Sequence, residues 1–165
     1  MRNARTAWLR GAGLLPLVAL AIAAAGPVLA DNPAPYPGTI TLRSEHGFDQ
    51  LVARLEKAIE ANKMGLVAQA SASRGAAARG VKIPGNAVLM VFRNDYAVRM
   101  LAASAPAGIE APLRLYVTEG QDGKGSVAYR RPSAVFGPYQ NAELDKLARE
   151  LDPVFEKIVR DAVGK

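Results

Sequence analysis

The chain has 165 residues, with 21 basic and 15 acidic side chains; half of its residues are hydrophobic and none is cysteine. Without cysteine the protein cannot form disulfides, use a thiol nucleophile, attach c-type haem, or hold iron–sulfur clusters or zinc through thiolates. Its stability must therefore come from packing.

The first thirty residues have the pattern of a secretory signal peptide. Arg2, Arg5 and Arg10 precede an apolar run over residues 11–29, and small residues end that run at Ala30. We predict cleavage near Ala30, which makes the mature protein periplasmic or secreted. An uncleaved membrane anchor is the alternative, because the run has about the 20 residues that a spanning helix needs. Internal proline and glycine favour cleavage, with no stable membrane insertion afterwards.

Cleavage would change the charge balance of the chain. Removing three of the 21 basic residues and none of the 15 acidic ones leaves 18 against 15, a net charge of +3. That charge is ordinary for a soluble protein, so no nucleic-acid partner is expected. Residues 31–38 are rich in proline and predict an extended linker. Residues 39–165 are enough for a single domain with its own core.

Strand and helix patterns alternate through the first part of this domain. Residues 39–43 predict a short strand, and residues 48–59 carry apolar side chains on one helical stripe. Gly65 is suited to a left-handed cap that ends this helix. Residues 66–71 predict a second strand, and the small residues 73–80 predict one or two helical turns.

Residues 87–92 form the most apolar run of the mature chain. Both alternating sets of side chains are hydrophobic, so we predict that this strand is central and covered on both sides. A helix is predicted over residues 96–104, with Asn94 or Asp95 as its N-cap.

The last part of the domain predicts a hairpin and a long helix. Residues 113–118 and 126–130 alternate around a Gly-rich turn, as in a β-hairpin. From Ala142 onward one helical face is apolar, and Asp152-Pro153 predicts either a kink or a second helix capped by Asp152. The order β-α-β-β-α-β-β-α predicts an α+β fold, a single-layer and mostly antiparallel sheet with helices on one face.

Several short landmarks occur through most of the domain in a fixed order. They are the helix at 48–59, Ile83-Pro84 before the strand at 88–92, Ala105-Pro106, Ala111-Pro112-Leu113, Asp122-Gly123, and Ala128-Tyr129 before Pro132. In this order they resemble the bacterial family called domain of unknown function 302. The resemblance implies a compact fold similar to the TATA-box-binding-protein-like arrangement, and homodimers, without any established activity.

The chain departs from that family pattern in two places. The family commonly has Gly-Asn-Pro after the buried strand, whereas this chain has Arg93-Asn94-Asp95. The family often has a histidine shortly after the second strand, whereas this chain has Ala70-Ser71-Ala72-Ser73. No histidine-dependent activity or metal site is therefore carried over from the family.

Motifs for cofactors and metals are not apparent in the sequence. His46 is the only histidine, and we predict that it is exposed at the start of the first helix rather than catalytic. The Gly-rich segment 120–126 has the wrong spacing for a phosphate loop and is a hairpin turn. We expect neither a cofactor nor a metal.

One group of arginine and tyrosine residues is the candidate ligand site. Its members are Arg93, Asn94, Arg114, Tyr116 and Tyr129, with Arg130 and Arg131 beside them. Arginine offers paired donors to a carboxylate or phosphate, and tyrosine adds a flat contact surface. The alternative is an ordinary polar sheet face or a dimer seam, since both residue types are enriched in interfaces.

These observations favour a non-enzymatic exported domain that forms a homodimer and binds a small anionic or apolar ligand. Helices on one side leave the other sheet face in need of a partner. The alternative is a hydrolase-like periplasmic enzyme with an unrecognised site, for example Arg93 with Tyr129 and Glu110.

Overall fold

The computed structural model describes residues 36–164, so the predicted signal peptide and most of the predicted linker lie outside the described residues. The elements in chain order are β1 (Thr39–Gly47), α1 (Phe48–Ala61), β2 (Gly65–Ala70), α2 (Ala72–Ala77), β3 (Asn86–Phe92), α3 (Asn94–Ala103), β4 (Leu113–Glu119), β5 (Lys124–Arg130), α4 (Pro132–Phe136) and α5 (Ala142–Val163). Short 3-10 turns lie at Ala105–Glu110 and Gly137–Tyr139. None of these described helices is long and apolar enough to cross a membrane.

The five strands form one antiparallel sheet in the order β1-β5-β4-β3-β2. β1 and β2 are neighbours in sequence but lie at opposite edges of the sheet, and α1 joins them. The hairpin of β4 and β5 pairs as the alternation predicts, with Tyr116 opposite Ala128. This architecture confirms the predicted α+β fold with an antiparallel sheet.

The main core lies between one face of the sheet and the helices α1 and α5. The stripes on the two helices are buried as their spacing predicts, because each apolar stripe must leave water. Their fully buried members include Leu51, Leu55 and Ile59 of α1 and Phe155 and Ile158 of α5. Opposite them are Leu89, Leu115, Val117 and Val127 of the sheet.

A second, smaller cluster of buried side chains lies beside the main core. It consists of Met100, Ala107, Val135, Phe136, Leu144, Leu147 and Ala148. Two of these residues belong to α4, which the sequence analysis missed. Five residues are too few to show a helical period, so only the tertiary packing of Phe136 identifies this turn as part of the core.

The other face of the sheet has no helix from α1 or α5 over it. On β3, Ala87, Leu89 and Val91 are buried, whereas Val88, Met90 and Phe92 are only half-buried. Within the described residues the helices therefore cover β3 on one side only, and the covering of its other side by a partner stays a prediction. β4 is the central strand, and β3 lies next to the edge strand β2.

The end of α1 differs from the prediction for Gly65, which lies within β2. The left-handed residue is instead Lys63, with φ of 57°. The N–H of Met64 donates to the carbonyl of Ile59 at 3.0 Å, and the N–H of Lys63 donates to that of Glu60 at 2.8 Å. These two bonds form a Schellman motif, which satisfies the last carbonyls of the helix.

The predicted start of α3 is also wrong, and one of the two alternatives for the terminal helix is excluded. The N-cap of α3 is Arg93, not Asn94 or Asp95, and no side chain caps it. α5 runs without a break through Pro153, so Asp152 does not cap a second helix. The helix continues because Leu151 and Phe155 are both buried on the same stripe, and this packing outweighs the lost hydrogen bond.

Candidate functional site

The five predicted site residues lie in three different places. Arg93 and Asn94 are at the start of α3, and Arg114 and Tyr116 are on β4. Tyr129 belongs to β5 and points into the main core. The structure therefore brings Arg114 and Tyr116 onto one surface but does not bring Tyr129 to it.

Tyr129 is a core residue, with 5% of its surface exposed. It lies opposite Leu115 in the hairpin, so it shares the helix-covered face with that leucine. Its ring centroid is 6.4 Å from that of Phe155. Burial raises the pKa of the Tyr129 hydroxyl above its usual value. Counting the hairpin register outward from Asp122-Gly123 could have placed this residue correctly.

The guanidinium of Arg93 is already bound by residues of its own chain. Its Nε and Nη2 donate to the two carboxylate oxygens of Asp95 at 2.7 and 3.0 Å. Its guanidinium also lies 4.1 Å from the ring centroid of Tyr96. The hydrogen bond with Asp95 raises the pKa of Arg93, and the same bond lowers the pKa of the Asp95 carboxyl. A ligand carboxylate at Arg93 would have to compete with Asp95.

A small apolar hollow lies next to Arg93, between β3, α3 and α5. Its lining includes Met64, Tyr96, Met100 and Phe136, and its volume is about 30 Å³. That volume accommodates about one water molecule and no organic ligand.

The uncovered surface of the sheet, called the open face below, is formed by alternate residues of β3, β4 and β5. Its members are Val88, Met90, Phe92, Arg114, Tyr116, Ala128 and Arg130. Arg114 is exposed, and Tyr116 is 44% exposed. This arrangement agrees with the predicted position of Arg114 and Tyr116 on the face opposite the leucines.

One row of the open face crosses all five strands without a charge. The register pairs Ala70 with Val88, Val88 with Tyr116, Tyr116 with Ala128, and Ala128 with Thr41. The next row contains Met90 and Arg114. The open face thus has an uncharged middle row, with Arg114 in the row on one side and Arg43 of β1 in the row on the other.

Arg130 lies on the same side of the open face as Arg114. One nitrogen of its guanidinium is buried and has no hydrogen-bond partner. Its Nη2 donates to the carbonyl of Ala134 at 3.0 Å, and its guanidinium lies 5.5 Å from the ring centroid of Tyr36. Its Nε is buried and has no hydrogen-bond partner. A cavity of about 60 Å³ lies beside it, lined by Glu110, Leu113, Arg114, Arg130 and Val135. The sequence predicts Arg130 beside the candidate group, but this orphan donor depends on tertiary contacts that the sequence does not show.

The residues considered for a hydrolase-like site have separate partners. Glu110 accepts a hydrogen bond from the Tyr139 hydroxyl at 3.2 Å, whereas Arg93 binds Asp95 and Tyr129 packs on Phe155. His46 is half-buried in β1, not exposed at the start of α1 as predicted. Within residues 36–164 no three His, Asp or Glu side chains are placed to hold a metal ion.

Comparisons with known proteins agree with this fold. A family model described as "Domain of unknown function DUF302" matches residues 40–162. The chain is also similar in fold to the crystal structure of an uncharacterized conserved DUF302 protein from Bacillus stearothermophilus, with a TM-score of 0.69 and 18% identity over 76% of this chain and 98% of that one. No curated protein matches the sequence.

Proposed function

We propose that this chain, which belongs to the family described as domain of unknown function DUF302, is an exported, non-enzymatic binding domain that self-associates through its open face. The observation that carries the proposal is a set of three half-buried apolar side chains that α1 and α5 leave uncovered: Val88, Met90 and Phe92. Antiparallel sheets usually expose a polar face to water, so an apolar one favours a covering partner.

A second copy of the chain suits this face because of where its charges lie. In a twofold dimer the same surface meets itself, so residues on the axis meet their own copies. The middle row, which includes Val88, Tyr116 and Ala128, carries no charge. An axis through this row would bring apolar groups together and keep Arg114 away from its own copy. Tyr116 would supply the large central contact that interfaces favour.

Export is the second part of the proposal, and it rests on the pattern of residues 1–30. Three arginines, an apolar run and small residues before Asp31 follow the three-region pattern of a secretory signal peptide. The lack of cysteine is compatible with an oxidising compartment, because the fold needs no thiol kept reduced.

Native mass spectrometry of the protein purified from periplasm, without refolding, tests both parts together. We expect a subunit mass that begins near Asp31 and a dimer at micromolar concentration. A retained N-terminus would contradict the predicted cleavage, and a monomer at tens of micromolar would contradict self-association.

A pair of substitutions then tests the interface. Tyr116→Glu puts a charge on the middle row and should weaken the dimer at least tenfold, because the charge would be buried against its own copy. Val98→Glu is the matched control, since Val98 is 59% exposed on α3 and Tyr116 is 44% exposed. A Tyr116→Glu protein that dimerises as tightly as Val98→Glu would show that the contact lies elsewhere.

A further inference from the structure

We infer that Arg114 and Arg130 form a binding site for the oxyanion of a small ligand, either a carboxylate or a phosphate group. The inference rests on the proposed function as a binding domain, and it adds the chemical class of the ligand and the residues that hold it. Three observations carry it: the neighbouring positions of the two arginines on the open face, the orphan Nε of Arg130, and the cavity that both arginines line.

The two arginines come together through the hairpin register. Leu115 lies opposite Tyr129 and Tyr116 opposite Ala128, so Arg114 and Arg130 are one step further along on the open face. Two like charges in neighbouring cross-strand positions repel each other. Among the described residues neither arginine has a carboxylate within ion-pair distance. An anion between the two guanidinium groups would remove the repulsion.

Arg130 is already held in place for such a contact. The bond from its Nη2 to the Ala134 carbonyl and the Tyr36 ring fix the guanidinium plane. Its Nε is buried without an acceptor. Buried donors in folded proteins nearly always have a partner, so this N–H is a donor that an oxygen from outside the chain could use. An oxygen of a carboxylate or phosphate could accept this N–H, while Arg114 supplies charge from the exposed side.

The cavity gives the size and character of the bound group. Its volume of about 60 Å³ suits one carboxylate or phosphate, or about two water molecules. Leu113 and Val135 form its apolar wall. Glu110 also lines it, and this carboxylate is bonded to the Tyr139 hydroxyl at 3.2 Å. Two arginines against one glutamate leave a net positive charge, so the site favours an anion. The rest of the ligand would extend from the cavity past the exposed Arg114 side chain.

The test uses the mature protein with inorganic phosphate and succinate as separate probes, titrated at constant ionic strength. Two-dimensional NMR follows the arginine Nε–H signals, and calorimetry gives the dissociation constant. We expect the Arg130 Nε–H signal to shift in a saturable way with at least one probe. The stronger probe identifies phosphate or carboxylate as the preferred group.

Four variants locate the site. Arg114→Gln and Arg130→Gln should each weaken binding of the probe at least tenfold. Arg131→Gln is the control, because Arg131 is an exposed neighbour and this change removes the same charge. It should change the dissociation constant less than twofold. Arg130→Lys keeps the charge but removes the Nε donor, so it should also weaken binding of the probe. This variant still tests the site if Arg130→Gln does not fold. Absence of a shift with both probes, or equal weakening by Arg131→Gln, would overturn the inference.

The same samples separate this inference from the proposed dimer. Native mass spectrometry reports the oligomer independently of anion binding. A dimer that ignores both probes overturns the oxyanion site alone. A monomer that binds a probe through Arg114 and Arg130 overturns self-association alone.

Discussion

The carboxylate of Asp152 accepts a hydrogen bond from the backbone N–H of Ser133, with 2.9 Å between Oδ1 and the nitrogen. Ser133 is in the first turn of α4, whose own N-cap residue, Arg131, offers no side-chain acceptor. A residue in the middle of α5 thus caps α4 from a distance, and this bond links the two helices that close the second core.

Asp152→Ala should therefore destabilise the protein by about 1–2 kcal/mol, because the N–H of Ser133 loses its acceptor. Asp152→Asn keeps an oxygen at the same position and should cost less than half as much. Urea unfolding followed by circular dichroism measures both values. Equal losses for the two variants would mean that the hydrogen bond does not contribute.

Gly125→Ala should destabilise the contact between β5 and α1. A Cβ at this position would lie 2.5 Å from Cδ2 and 3.3 Å from Cβ of Leu51, which is fully buried. Overpacking of this kind costs about 1–3 kcal/mol. Gly75→Ala in α2 meets no atom within 4 Å and should instead stabilise by about 0.5–1 kcal/mol. Thermal melts of the two variants should shift in opposite directions, and a shift in the same direction would refute this account.

Lys63→Gly should stabilise the end of α1. Lys63 has φ of 57°, where a side chain is strained and glycine is not. The gain should be about 0.5–1 kcal/mol after the extra freedom of glycine in the unfolded chain is counted. Lys57→Gly, inside the same helix, should cost about 1 kcal/mol. Chemical unfolding compares the two, and a destabilised Lys63→Gly would show that the lysine side chain itself contributes at this position.

The ion pair of Arg99 and Glu150 should make the contact between α3 and α5 depend on pH. Two hydrogen bonds of 2.8 and 3.0 Å from Arg99 lower the pKa of Glu150 below its ordinary value. A carboxyl with a lowered folded-state pKa stabilises the fold above its unfolded pKa, and this contribution is lost as the pH falls through the folded pKa.

Arg99→Gln should raise the pKa of Glu150, and its deficit in unfolding free energy should shrink as the solution becomes acidic. A carboxyl-carbon NMR titration measures the midpoint, and urea unfolding at several pH values measures the deficit. Arg149→Gln removes the same charge from the neighbouring position and should move the Glu150 midpoint less. If the Glu150 midpoint rose equally in both variants, the lowered pKa would come from the surrounding positive charge rather than from the hydrogen bonds of Arg99.

The long periodic elements of the fold were predictable because their signal is contained in the sequence. The stripe from Leu51 to Ile59 and the hairpin around Asp122-Gly123 fix α1, β4 and β5 within a few residues. β1 extends to Gly47, beyond the predicted end, because the polar residues after Arg43 hide its continuation. α4 was not predictable, because its five residues are too few to show a helical period of apolar side chains.

The candidate site was predictable only in part, because its faces depend on register. Tyr129 changes face with a one-residue shift of pairing, so its residue type says nothing about its face, and only counting the register outward from the turn at Asp122-Gly123 places it in the core. The orphan Nε of Arg130 depends on where the Ala134 carbonyl lies, which is a tertiary contact. Arg114 and Tyr116, in contrast, follow from the alternation within β4 itself.

The sheet order also has a consequence for the growing polypeptide. β1 is made first but pairs only with β5, Thr39 meeting Arg130. A chain that has been made, or has crossed a membrane, only as far as the fourth strand has no partner for Ile40 or Leu42. This edge must therefore wait for the fifth strand, and a truncated chain ending before Lys124 should leave the first strand open to proteases and chaperones.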